Sequence, residues 1–178
     1  WRVIMLKKIF LSLAFVLASA GAFAQDAAAP LNDARIAHIA YTAGQIDISA
    51  ANLALEKSED AQVLAFAELM ARDHAAVNEE ALALLNRLDV APQENDTSAA
   101  LSSQAREREE QLAALAGREF DIAYVENEVT FHKTVNDALQ NLLIPNAQNA
   151  DLKALLETGL SLFREHQLHA EHLLHEMN

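Results

Sequence analysis

The chain has 178 residues, of which 52% are hydrophobic, and its 26 acidic residues outnumber 13 basic ones. Four Gly and three Pro are too few for a Gly-rich phosphate loop, a dinucleotide fingerprint or a turn-dense β-sandwich. The absence of Cys excludes disulfides, zinc–thiolate sites, c-type haem attachment and a lipoprotein anchor.

The first 24 residues are predicted to be a secretory signal peptide. Lys7 and Lys8 precede an apolar run over residues 9–20, and a small-x-small sequence over residues 22–24 follows. We place cleavage after Ala24, and we take Met5 as the natural initiator, which makes residues 1–4 an upstream extension. An uncleaved N-terminal anchor is the alternative, although the run is short for a membrane span. The expected location is the periplasm, with association to the outer membrane left open.

Cleavage at this point would make the protein still more acidic. It would remove three basic residues and no acidic one, leaving 10 basic and 26 acidic groups, a net charge of −16 (10 − 26). Such a surface repels phosphate backbones and anionic lipids. Nucleic acid is therefore not an expected partner, whereas a cation is an expected partner. No membrane span is expected after cleavage. A second copy of the chain or another envelope protein is left open as a protein partner.

The remaining chain is predicted to be helical throughout. Residues 25–31 form a flexible lead, and residues 32–178 show apolar residues at the 3-4 spacing of helices, with no period-two stretch. Ser58 is the predicted N-cap of the second helix, and Pro145 lies in the predicted last turn. The pattern predicts an all-α fold, an antiparallel four-helix bundle with an extra short helix in the crossover. The predicted helices cover residues 32–57, 59–88, 98–116, 118–143 and 149–176.

Each of the four long helices carries a polar residue on its apolar stripe. A buried carboxylate or imidazole costs several kcal/mol unless it is paired or bound to a metal. With hairpins that reverse near residues 58 and 147 and a rise of ~1.5 Å per residue, the polar positions of each hairpin lie within ~6 Å along the bundle axis. We expect one shared layer near mid-bundle. Its members are Asp47, His74, Glu128, His132 and His166.

Three imidazoles with one or two carboxylates suit a divalent transition metal such as zinc, copper or iron. The predicted ligands are Asp47, His74, His132 and His166, with Glu128 as a fifth ligand or an outer partner. The alternative is a metal-free structural or interaction module of the envelope, in which the same residues form a buried polar network. In that case Asp47 pairs with His74, and Glu128 pairs with Lys133 or Arg164.

No reaction is assigned from the sequence, and no residue is predicted to be catalytic. The chain lacks the Glu-x-x-His motif of di-iron carboxylate bundles, which argues against a ferroxidase centre, and it lacks a Gly-x-Ser-x-Gly elbow. Haem ligation by Met70 is left open. His172 and His175 are interpreted as residues that favour a helix C-terminus rather than as ligands.

Five segments in order resemble one bacterial family. They are residues 44–48 (GQIDI), 66–74 (FAELMARDH), 115–124 (LAGREFDIAY), 132 (H) and 162–166 (LFREH), and the resemblance covers about residues 36–173. This is the exported, ferritin-like four-helix family of unknown function whose members are often labelled "predicted outer membrane protein". The resemblance implies a ferritin-like bundle in the envelope and no established reaction. This chain departs from the family pattern at Asp47 (commonly Glu), Phe131 (commonly Asp) and Ser161 (often Pro).

Overall fold

Within residues 30–177, which the computed structural model describes, the chain forms five helices and no strand. They are α1 (Asp33–Lys57), α2 (Ala61–Arg87), α3 (Asp96–Ala113), α4 (Gly117–Ala138) and α5 (Ala150–Met177). The prediction of an all-helical bundle is confirmed. The predicted signal peptide, its cleavage point and residues 25–29 of the lead lie outside the described residues.

The link between α1 and α2 is short, and its capping residue differs from the prediction. Asp60, not Ser58, caps α2: its carboxylate accepts the N–H groups of Gln62 (2.8 Å) and Val63 (3.2 Å). Ser58 instead ends α1, where its N–H donates to Ala54 O, and its hydroxyl accepts the N–H of Asp60. Asp60 takes the cap because it stands directly before the first helical residue, where its oxygen reaches two N–H groups.

The second hairpin reverses near residue 147, as predicted, but Pro145 does not lie in the turn. Helix α4 continues through a π-helical turn, Leu139–Leu143, and a short helical turn, Ile144–Asn146, so Pro145 lies inside helical backbone. The chain reverses at Ala147–Asn149. The carboxylate of Asp33, at the start of α1, accepts the N–H groups of Gln148 (2.8 Å) and Asn149 (3.0 Å) and ties this turn to the opposite hairpin.

The four long helices form two antiparallel hairpins, α1–α2 and α4–α5. Helix α2 packs against α5 and α1 packs beside α4, which closes a four-helix core. Helix α3 lies outside this core, against α1 and α4, as expected for a crossover helix. Ser49 donates a hydrogen bond to Glu109 (3.1 Å), and Lys57 donates one to the carbonyl of Ala113 (2.8 Å). These two bonds connect the second half of α3 to α1.

The apolar core is divided into two halves. Phe66, Met70 and Phe120 belong to the half near the α1–α2 turn, and Ile36, Leu85 and Leu152 belong to the half near the α4–α5 turn. Buried polar residues lie between them in sequence on all four long helices. Within residues 30–177, no helix combines the length and hydropathy that crossing a bilayer requires.

Candidate metal centre

All five predicted site residues are buried in the interior between the hairpins. None exposes more than 2% of its surface. Asp47 comes from α1, His74 from α2, Glu128 and His132 from α4, and His166 from α5. The helical pattern places each on the same stripe as its apolar neighbours, so each side chain points to the interior together with the core residues one turn away.

The imidazoles of His74, His132 and His166, here called the histidine cluster, converge. One ring nitrogen of each lies within 4.8 Å of a ring nitrogen of the other two. The ring centroids are 5.4–5.5 Å apart, nearly an equilateral triangle. The Nε2 atoms of His74 and His132 are 3.4 Å apart. Two nitrogens bound at ~2.0–2.1 Å to a tetrahedral ion are separated by about 3.4 Å, so this pair already has ligand spacing.

Asp47 lies against the histidine cluster. Its Oδ2 atom is 3.5 Å from His74 Nε2 and 3.7 Å from His132 Nε2. These are the two nitrogens that face each other, so the carboxylate oxygen and both nitrogens lie around one common point. Asp47 accepts no hydrogen bond from an N–H or hydroxyl group within residues 30–177, and its hydrogen-bonding neighbour is the carboxyl group of Glu128. The two acids therefore share a buried site beside His132.

Glu128 lies on the other side of the His132 ring. Its Oε2 atom is 3.6 Å from His132 Nδ1 and has no hydrogen-bond partner, while Oε1 accepts a long bond from Asn127 (3.4 Å). Ligand oxygens of Asp47 and Glu128 and a ring nitrogen of His132 also lie within 4.8 Å of one another. Asp47 and Glu128, here called the carboxylate pair, make no ion pair with Lys or Arg within residues 30–177. Of the two pairings expected for the metal-free alternative, the contact of Asp47 with His74 is present at 3.5 Å, and the pairing of Glu128 with Lys133 or Arg164 is absent within residues 30–177.

Burial controls the protonation of the histidine cluster. It lowers the pKa of His74 well below 6.5, helped by the two neighbouring imidazoles, and it lowers the pKa of His132 to about 4. Burial also lowers the pKa of His166, against the opposing effect of Asp73. The three rings are accordingly neutral at pH 7, the form in which imidazole binds metals.

Burial acts on the carboxylate pair in the opposite direction. It raises the pKa of Asp47 from 3.8 to about 7. It also raises the pKa of Glu128 well above 4.5, and the nearby Asp47 carboxylate raises it further. Two acids and three neutral bases thus lie together in the interior, where Glu128 hydrogen-bonds Asp47 and no Lys or Arg within residues 30–177 pairs with either acid. A divalent cation would neutralise the pair and occupy the nitrogen lone pairs, so the residues present fit such an ion.

The walls around the histidine cluster are tightly packed. Phe163 stacks on the His74 ring, with centroids 4.4 Å apart and an interplanar angle of 11°. On the α1 side, Gly44 admits the amide of Asn78, because a Cβ built at Gly44 would lie 2.5 Å from Asn78 Oδ1. Both contacts restrict the position of His74, one turn before Asn78 on the same helix.

Sequence reasoning missed Asp73. Its Oδ2 atom is 3.1 Å from His166 Nε2, on the outer side of the histidine cluster. The signal was present as the adjacent pair Asp73-His74, since neighbouring helix residues point about 100° apart and can face two different helices. The other histidines singled out lie elsewhere: His172 is exposed and pairs with Glu176 (3.3 Å). Met70 is buried in the apolar half of the core near the α1–α2 turn.

Comparison with known proteins shows the family and the fold. The model of the domain of unknown function DUF4142 matches residues 18–173. A crystal structure of a DUF305 protein from Streptomyces coelicolor, described as a candidate secreted protein, is similar with a TM-score of 0.70 at 14% identity, covering 82% of this chain and 93% of that one. The search of curated proteins found no match. Since the family model covers most of the chain, the protein belongs to the DUF4142 family.

Proposed function

We propose that the protein binds one divalent transition-metal ion at mid-bundle and serves in metal handling or stress protection of the cell envelope. His74, His132, His166 and Asp47 are the proposed ligands, and Glu128 is the outer partner of His132. The observation that carries the proposal is the convergence of three neutral imidazoles, two of which, His74 and His132, also face the buried carboxylate of Asp47.

Chemistry and energetics favour an ion over a metal-free network. A network that stabilises the fold would satisfy its own polar atoms, yet His74 Nδ1 and His166 Nδ1 have no hydrogen-bond partner, and the carboxyl groups of Asp47 and Glu128 have mainly each other. Each unsatisfied buried group costs ~1–3 kcal/mol. Three nitrogens and one carboxylate suit zinc, copper or iron, and the metal titrations described below identify which of these ions the protein binds.

Export to the periplasm remains part of the proposal, as does the assignment of the bundle to the ferritin-like architecture. Support for export comes from the basic-apolar-small pattern of residues 7–24. The similar protein from Streptomyces coelicolor is itself described as secreted. N-terminal sequencing of protein recovered from the periplasm tests cleavage after Ala24.

Metal analysis tests the proposal directly. Protein stripped with a chelator is titrated with Zn²⁺, Cu²⁺ and Fe²⁺ by calorimetry, and bound metal is measured by mass spectrometry. We expect one equivalent in the parent protein and in His172→Ala, which removes an exposed histidine of α5. We expect a loss of at least 100-fold in affinity in His132→Ala, whose ring faces both His74 and Asp47.

Two results would contradict the proposal. One is a parent protein that binds none of the three ions. The other is a His132→Ala variant that binds as tightly as His172→Ala. Either result would leave the polar layer as a structural network and would favour the alternative of an interaction module of the envelope.

A further inference from the structure

Two histidines of the histidine cluster, His132 and His166, have ring nitrogens that contact oxygen atoms outside the cluster, and the contacted nitrogen differs between them. His132 Nδ1 lies 3.0 Å from the carbonyl oxygen of Glu128, one turn earlier on the same helix. Because a carbonyl only accepts, Nδ1 carries the proton and donates it. The lone pair of His132 is therefore on Nε2, the atom that faces His74 and Asp47.

His166 is held in the opposite sense. Its Nε2 atom is 3.1 Å from Asp73 Oδ2. An ionised carboxylate only accepts, so Nε2 carries the proton and donates it. A nitrogen that donates its proton cannot also bind a metal. The lone pair of His166 is thus on Nδ1, which is buried and has no hydrogen-bond partner.

Asp73 is itself paired with Arg72. Arg72 Nε lies 2.8 Å and a terminal guanidinium nitrogen 2.7 Å from Asp73 Oδ1, the oxygen that His166 does not use. The Asp73 side chain is 16% exposed, whereas the Arg72 side chain is 70% exposed, so this chain of contacts runs from the surface to the buried ring. Asp73 does not belong to either group of converging ligand atoms.

We propose that Asp73 is a positioning residue that makes His166 bind the ion through Nδ1, while His132 binds it through Nε2. This inference rests on the proposed function and specifies its coordination. A carboxylate that accepts the outer N–H of a ligating imidazole fixes the tautomer, orients the ring and raises its basicity, and loss of such a partner typically weakens metal binding 10–100-fold.

The Asp73→Asn variant tests this role. An amide can turn its NH₂ group towards Nε2 and thereby favour the tautomer with the proton on Nδ1, which blocks the proposed ligand atom. We expect Kd for Zn²⁺ to rise 10–100-fold. Asp73→Glu, which keeps the carboxylate, is expected to recover a substantial part of the affinity. Glu80→Gln, which removes an exposed carboxylate from the same helix, is the charge-matched control and is expected to bind like the parent.

The protonated nitrogen of each ring can be read directly. In ¹⁵N-histidine-labelled protein, long-range ¹H–¹⁵N spectra distinguish the two tautomers. We expect His166 with its proton on Nε2 and His132 with its proton on Nδ1, in the metal-free protein and after Zn²⁺ addition. In Asp73→Asn we expect the His166 proton to shift towards Nδ1.

The outcomes separate this inference from the proposed function. If the parent protein binds no metal, the proposed function fails, and the metal-free tautomers still report whether Asp73 sets the His166 ring. If the parent binds metal and Asp73→Asn binds equally well, the positioning role is refuted. A metal-bound His166 with its proton on Nδ1 would refute the assignment of the ligand atom.

Discussion

Replacing Asp47 by Asn should stabilise the metal-free protein and weaken its metal binding. Asn is nearly isosteric with Asp but carries no charge, so the substitution removes a buried, uncompensated carboxylate without opening a cavity. Most substitutions of buried residues destabilise a protein. The opposite sign is expected here because burial raises the pKa of this carboxyl group and no Lys or Arg within residues 30–177 pairs with it.

The magnitude follows from the shifted pKa. Burial raises the pKa of Asp47 from 3.8 to about 7. One pKa unit corresponds to 1.36 kcal/mol, so full ionisation of the folded protein costs about 4 kcal/mol relative to an uncharged side chain. Because the pKa of Asp47 is higher in the folded state than in the unfolded state, the stability that protonated Asp47 contributes is fully present below pH 3.8. This contribution is lost as the pH rises through about 7. The free energy of unfolding of metal-free Asp47→Asn should therefore exceed that of the parent by up to ~4 kcal/mol at pH 8 and by much less at pH 5.

Urea unfolding of chelator-treated protein, followed by far-UV circular dichroism at pH 5 and pH 8, measures this difference. When the measurement is repeated with Zn²⁺ at pH 8, the parent should be more stable than Asp47→Asn, because the variant lacks a proposed ligand. An equal loss of stability in Asp47→Asn at both pH values would refute the reasoning. It would mean that Asp47 is a satisfied hydrogen-bonding residue and not an uncompensated charge.

Three further outcomes are expected. The lowered pKa values of the histidine cluster oppose the carboxylate effect, because they make the metal-free protein less stable as the pH falls from 6.5 towards the folded-state values (about 4 for His132). When Tm is measured against pH, the parent should lose stability relative to His132→Ala over this range, and a Tm difference that does not change with pH would contradict the reasoning. Gly44→Ala should cost ~1–3 kcal/mol in urea unfolding, because its Cβ would collide with Asn78. Gly159→Ala is its matched control and should gain up to ~1 kcal/mol, since its Cβ meets only the Phe163 ring at 3.5 Å; equal effects of the two would refute the steric argument.

Local rules were enough to locate the helices. The 3-4 spacing of apolar residues predicted the four long helices, and the charged segment between the hairpins was predicted to be the crossover helix. The observed ends differ from the predicted ones by a few residues. The differences have local causes. Asp60 rather than Ser58 caps α2, and the π-helical turn Leu139–Leu143 carries helical backbone past the expected turn at Pro145. Such choices depend on which of several competing hydrogen bonds is satisfied, and spacing alone does not rank them.

The sequence alone determined which residues face the interior, because helical periodicity puts a residue on a stripe whatever that stripe contacts. Asp47, His74, Glu128, His132 and His166 could be selected on that ground alone. Tertiary packing decided how these side chains meet: the two hairpins set the register that joins His74 and Asp47 to His132, and α2 brings Asp73 to His166. Register between separate hairpins depends on contacts between residues far apart in the chain, and no local pattern encodes it.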